Sequence, residues 1–89
     1  MSDSVKKIGL LAGAGEVPAH FARKAGQRGL SIIAVSFSDE THAKLKPLVE
    51  KAYSIGIGKP GKIFKTFKNE NVTDLVMLGK VEKKIIFRP

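Results

Sequence analysis

The sequence predicts an α/β fold: an open, mostly parallel sheet of about four strands, in the preferred order 3-2-1-4, with helices flanking it. Two observations carry this expectation. Four short apolar runs alternate with stretches whose apolar residues recur at helical spacing. The runs are also apolar on both faces, most clearly the first two, as strands covered from both sides must be.

The first run, residues 7–12 (KIGLLA), is closed by Gly13. From Pro18 the period changes: Phe21, Ala22 and Ala25 share one helical face, while Arg23, Lys24, Gln27 and Arg28 point away and Gly29 supplies a left-handed stop. Residues 30–37 (LSIIAVSF) are rich in β-branched side chains and form the second strand. Ser38 or Asp39 can cap a helix running to about Leu45, which Pro47 ends or kinks. A weaker third strand covers 51–57. In 62–69 the spacing sets Ile63, Phe64 and Phe67 inward and Lys62, Lys65 and Lys68 outward. Asn71 and Thr73 turn the chain into the fourth strand at 74–79.

Right-handed crossovers make these strands parallel, so the loops that follow them, 13–18, 38–41, 58–62 and 79–84, share one edge of the sheet. Ligands of open α/β sheets bind at that edge, where the strand order reverses. In the order 3-2-1-4 this point brings 13–17 beside 79–84. In the alternative order 2-1-3-4, the 58–62 loop becomes the neighbour.

Sixteen Lys and Arg against eight Asp and Glu give a net charge of +8, which favours anionic partners. A nucleic acid is one such partner, yet Phe21, Phe64 and Phe67 fall on inward helix faces and leave few stacking platforms. The chain has no cysteine, so disulfides and thiolate metal sites are excluded and the cytoplasm is the expected location. No apolar run approaches the roughly 18 residues of a membrane span. Any membrane contact would be peripheral.

Gly13-x-Gly15 ahead of a helix offers close backbone approach and unpaired N–H groups to an anion. A structural turn explains the same glycines. Pro18 stands where a dinucleotide fingerprint has its third glycine, but it suits the first helical turn. Residues 56–62 match the spacing of a triphosphate loop up to Lys62, with Ile63 in place of the magnesium-binding hydroxyl. The candidate substrate contacts are therefore Gly13, Ala14, Gly15 and Glu16, then Gly58, Gly61 and Lys62, then Gly79 and Lys80. Asp39 and Glu40 stand where a dinucleotide fold places a ribose-binding carboxylate, and helix capping explains them equally well. His20 and His42 have no ligand-spaced partner. No catalytic set is visible, and no catalytic or metal-binding residue is assigned.

The segments 7–37 and 54–81, which carry Ala-Gly-Ala-Gly-Glu-Val-Pro, then Phe-Ala, then Gly-Lys-Pro-Gly-Lys and Leu-Gly-Lys-Val in order, resemble the amino-terminal domain of the LpxI-type UDP-2,3-diacylglucosamine pyrophosphatases. The likeness covers essentially the whole chain. It departs at Ala14, where the family often has Asn, and at 82–87, where a basic residue followed directly by proline is expected. The resemblance implies a Rossmann-like domain, residues 1–89, of a longer two-domain cytoplasmic protein that works at the inner membrane surface in lipid A synthesis. It further implies hydrolysis of UDP-2,3-diacylglucosamine to UMP and 2,3-diacylglucosamine 1-phosphate with a divalent metal such as Mg. In that family the catalytic and metal residues lie mainly in the carboxyl-terminal domain, so the present chain is expected to be inactive alone. Two other classes stay open: a non-catalytic nucleotide- or phosphate-binding module, or a fragment of a dinucleotide-dependent oxidoreductase; and a basic nucleic-acid-binding domain.

Overall fold

The computed structural model describes residues 7–56 and 58–80. Four strands, β1 (Lys7–Ala12), β2 (Ser31–Ser36), β3 (Lys51–Ser54) and β4 (Asp74–Leu78), form one sheet in the order β3-β2-β1-β4. Every neighbouring pair is parallel. The preferred order is the one observed, and all loops after the strands leave from the same edge.

Side chains alternate across the two faces, which splits the core into two layers. Ile8, Leu10, Ala12, Ile32 and Ala34 pack against helices α1 (Val17–Gln27) and α2 (Asp39–Leu45), through Ala19, Ala22, Ala25 and Leu45. Leu11, Ile33 and Val35 pack on the other face against Ile63 and Phe67 of helix α3 (Pro60–Asn69). The small alanines of α1 let that helix lie close to β1 and β2. On the opposite face Gly9 makes the room: a Cβ there would stand 2.7 Å from Leu75 Cδ2 and 3.0 Å from Phe67 Cδ1.

The helix boundaries follow from local chemistry. Pro18 sits in the first turn of α1, and Gly29 with φ 78° ends it. Ser38, rather than Asp39, caps α2, its hydroxyl accepting from the Thr41 N–H at 3.3 Å. A single 3-10 turn, Lys46–Leu48, holds Pro47 and leads into β3. Three sequence expectations need correction. Helix α3 starts at Pro60, two residues early, because proline is at home in a first helical turn. Strand β3 ends at Ser54, not 57; Ile55 still donates to the Ser36 carbonyl at 2.9 Å, after which the chain turns at Gly56. Phe64 is not inward: it is 56% exposed, because α3 rests on the line through Ile63 and Phe67, and Phe64 lies roughly 80° around the helix from it.

Candidate anion site at the β1–β4 crest

Beyond their last paired residues, β1 and β4 interlock. The Gly13 N–H donates to the Leu78 carbonyl at 2.8 Å, and Ala14 and Lys80 form an antiparallel bridge with bonds of 2.8 and 2.9 Å. The approach is too close for side chains. A Cβ on Gly13 would meet the Lys80 carbonyl oxygen at 2.4 Å, and one on Gly79 would meet Gly13 and Ala14 backbone atoms at 2.8–2.9 Å. Gly79 also has φ 96°. These two glycines therefore hold the crest together, and the Gly13 and Ala14 N–H groups are already used.

Gly15 differs. Its φ is 104°, and nothing lies within 4 Å of where its Cβ would be. Glu16 follows as the N-cap of α1, with no side-chain cap bond. The His20 N–H returns to the Glu16 carbonyl, but among the described residues the N–H groups of Gly15, Glu16, Val17 and Ala19 have no acceptor. They stand at the positive end of an 11-residue helix. The unpaired N–H donors thus lie within 15–19, two residues along from Gly13.

A cation that the sequence reading missed stands beside this turn. Lys44 of α2 bonds the Glu16 carboxylate at 3.0 Å, and this hydrogen bond, with the Glu16 charge, raises the Lys44 pKa. Only the fold brings the two together, across 28 residues of sequence, so no local signal marks the pair. Lys80 is exposed at the crest, its backbone bound to Ala14.

Gly58, Gly61 and Lys62 are also exposed on this edge, but after β3, which β2 separates from β1. At about 4.8 Å per strand, the two strand ends are roughly 10 Å apart. A Cβ on Gly58 or Gly61 would meet nothing within 4 Å. Ile63 is buried, 4% exposed, so the position that a triphosphate loop gives to a hydroxyl belongs to the core. Asp39 accepts from the Ser54 hydroxyl at 3.0 Å and ties the start of α2 to the end of β3. Ser36, fully buried at the end of β2, has no hydrogen-bond partner for its hydroxyl among the described residues.

Away from this edge, Glu70 lies below Tyr53 and Lys51. The Tyr53 hydroxyl bonds the Glu70 carboxylate, and Lys51 Nζ contacts both carboxylate oxygens at 3.2 Å. The Tyr53 bond, and after it Lys51, hold the Glu70 carboxyl below its ordinary value; the same carboxylate raises the pKa of Tyr53 and of Lys51. This cluster pins α3 to β3 and is structural. His20 is exposed and His42 half-buried on their helices, and among the described residues no group of three or more His, Asp or Glu could hold a metal ion. None of the described helices is long and apolar enough to cross a membrane.

No curated protein matches the chain significantly. The family model described as LpxI N-terminal domain matches residues 7–89, nearly the whole sequence. The chain therefore belongs to the LpxI N-terminal domain family, which is linked to lipid A biosynthesis.

Proposed function

We propose that this chain is the nucleotide-diphosphate-binding part of a UDP-2,3-diacylglucosamine hydrolase, supplying one wall of the substrate cleft and no catalytic group. The observation that carries the reading is the row of unused N–H groups at Gly15, Glu16, Val17 and Ala19, at the point where the strand order reverses. These groups would take the diphosphate of UDP. Lys44, Lys80 and, from the first turn of α3 beyond β3, Lys62 would supply the charge that draws it in. Lys44 would share its charge between the diphosphate and the Glu16 carboxylate, which it already faces at 3.0 Å. The divalent metal implied by the family finds no ligand set among the described residues. Bond cleavage, and the acyl chains, belong to the carboxyl-terminal domain that completes proteins of this family.

The test is a residue-resolved NMR titration with UDP, UMP and NAD, with UMP release measured in parallel. The expected result is amide shifts centred on 15–19, tighter binding of UDP than of UMP, and no UMP release from the diacyl substrate. Preference for NAD would point instead to an oxidoreductase fragment. Binding that follows salt steeply with no choice among nucleotides would favour the nucleic-acid reading.

A further inference from the structure

The two sides of the unpaired N–H row differ. Toward β4, the Ala14–Lys80 bridge brings two backbones together, and a Cβ on Gly13 or Gly79 would meet backbone atoms at 2.4 or 2.8 Å. No crevice is left between these strand ends. Toward β2, side chains make the contact instead: Lys44 of α2 reaches Glu16 at the start of α1.

The floor on the β2 side is polar. Ser36 ends β2 opposite Ala12 of β1, and the alternation that sets Ile32 and Ala34 beneath α1 and α2 sets Ser36 on the same face. It is fully buried, yet its hydroxyl has no hydrogen-bond partner among the described residues. Ala12 and Ala34 show that a methyl group fills equivalent places on this face, so packing alone does not account for a hydroxyl whose unpaired burial is unfavourable. Asp39 opens α2 nearby. The Ser54 hydroxyl donates to its Oδ1 at 3.0 Å and orients the carboxylate, while Oδ2 has no partner among the described residues. An oriented carboxylate oxygen accepts from hydroxyl groups. Glu16 and Glu40 bring two more carboxylates to Lys44, so this side is poorly suited to a further phosphate and well suited to a neutral group that donates hydrogen bonds.

We propose that the nucleoside half of the bound nucleotide lies over the end of β2, between α1 and α2, with its ribose hydroxyls donating to Asp39 above the floor formed by Ser36, and not over the β1–β4 junction. The proposal rests on the reading that the N–H groups of 15–19 hold the diphosphate. Neighbouring strands lie about 4.8 Å apart, so the passage from the loop after β1 to the end of β2 is a single strand step, within the span of a phosphoribosyl unit. The acids then face the sugar, and Lys80 stays on the phosphate side.

Calorimetric and NMR titrations with inorganic pyrophosphate, UDP and 2′-deoxy-UDP test the proposal. Pyrophosphate should shift the amides of 15–19. UDP should shift these and also those of 36–39, and should bind about 10-fold or more tightly than 2′-deoxy-UDP, the worth of one hydrogen bond to a charged group. Asp39→Ala should remove this preference and leave pyrophosphate affinity unchanged; Ser38 still caps α2, so the circular dichroism should match that of the parent. If UDP and 2′-deoxy-UDP bind alike, if Asp39→Ala keeps the preference, or if the shifts specific to UDP fall on 79–80, the proposal is overturned while the diphosphate reading stands. No response of 15–19 to pyrophosphate or UDP would overturn that reading and the proposal with it.

Discussion

Replacing Gly13 by alanine tests whether this residue holds the crest or merely leaves space for a ligand. The new Cβ would stand 2.4 Å from the Lys80 carbonyl oxygen, 2.9 Å from its carbon and 3.1 Å from the Gly79 carbonyl carbon. All three are backbone atoms, so no change of rotamer relieves the overlap. Relief requires β1 and β4 to part just where Gly13, Ala14 and Lys80 donate bonds of 2.8, 2.8 and 2.9 Å. Overpacking of this kind costs about 1–3 kcal/mol. Each weakened backbone bond adds up to about 0.5–1.5 kcal/mol. The stiffer unfolded chain offsets about 0.4–1 kcal/mol. The net expectation is a loss of about 2–4 kcal/mol, which for a domain of this size lowers Tm by roughly 10–25 °C. Gly15→Ala carries only the left-handed backbone penalty, about 1–2 kcal/mol, because its site is open. Urea unfolding followed by circular dichroism measures both. If Gly13→Ala stays within about 0.5 kcal/mol of the parent, or if Gly15→Ala is the more damaging, the assignment of Gly13 to structure and Gly15 to the ligand side fails.

Other substitutions probe the layers beneath the site. Phe67→Ala removes a ring that is 3% exposed and should cost about 3–5 kcal/mol. Phe64→Ala, at 56% exposure, should stay within about 0.5 kcal/mol of the parent, and equal losses would contradict the seating of α3. Ser38→Ala should cost about 1 kcal/mol through the lost cap on the Thr41 N–H, read as a lower urea midpoint. Because Glu70 is held below its ordinary pKa, its contribution is present above the unfolded value and is lost as pH falls through the lower folded value. Stability should thus decline in the acid range, and Tyr53→Phe should move the Glu70 titration, followed by NMR, back toward the ordinary carboxylate value. An unchanged titration would show that the Tyr53 bond does not set it.

The sheet was legible because its signals are local. Residues 7–12 and 31–36 are apolar on both faces, Gly29 and Asn71 mark left-handed turns, and Pro18 starts a helix where its missing N–H costs nothing. The errors arise where tertiary contact decides. A helix pattern with apolar residues at 63, 64 and 67 leaves its rotation open, and Gly9 and Leu11 settle it by receiving Phe67 and Ile63. Nothing local to β3 says that its last hydrogen bond to β2 is made by Ile55.

The candidate site shows the same division more sharply. Gly13, Gly15 and Gly79 look alike in the sequence, since each follows or nearly follows an apolar run. Their reasons differ. Gly13 and Gly79 are glycines because two backbones touch, whereas Gly15 combines a positive φ with open space. A motif can report that glycine is required at a turn, but not whether the second body is another part of the chain or a guest. Lys44 illustrates the complement: its position beside Glu16 depends on how α2 packs against α1, and both helices owe their placement to alanines and Leu45 in one core layer. The charge that would meet a diphosphate is therefore fixed by packing beneath it, so a core substitution such as Leu45→Ala should weaken UDP binding by moving Lys44 as well as by destabilising the fold. Comparing the Lys44 shift on UDP titration in that variant and in the parent, both at temperatures well below Tm, separates the two effects; a Lys44 response identical in the two proteins would break the link argued here.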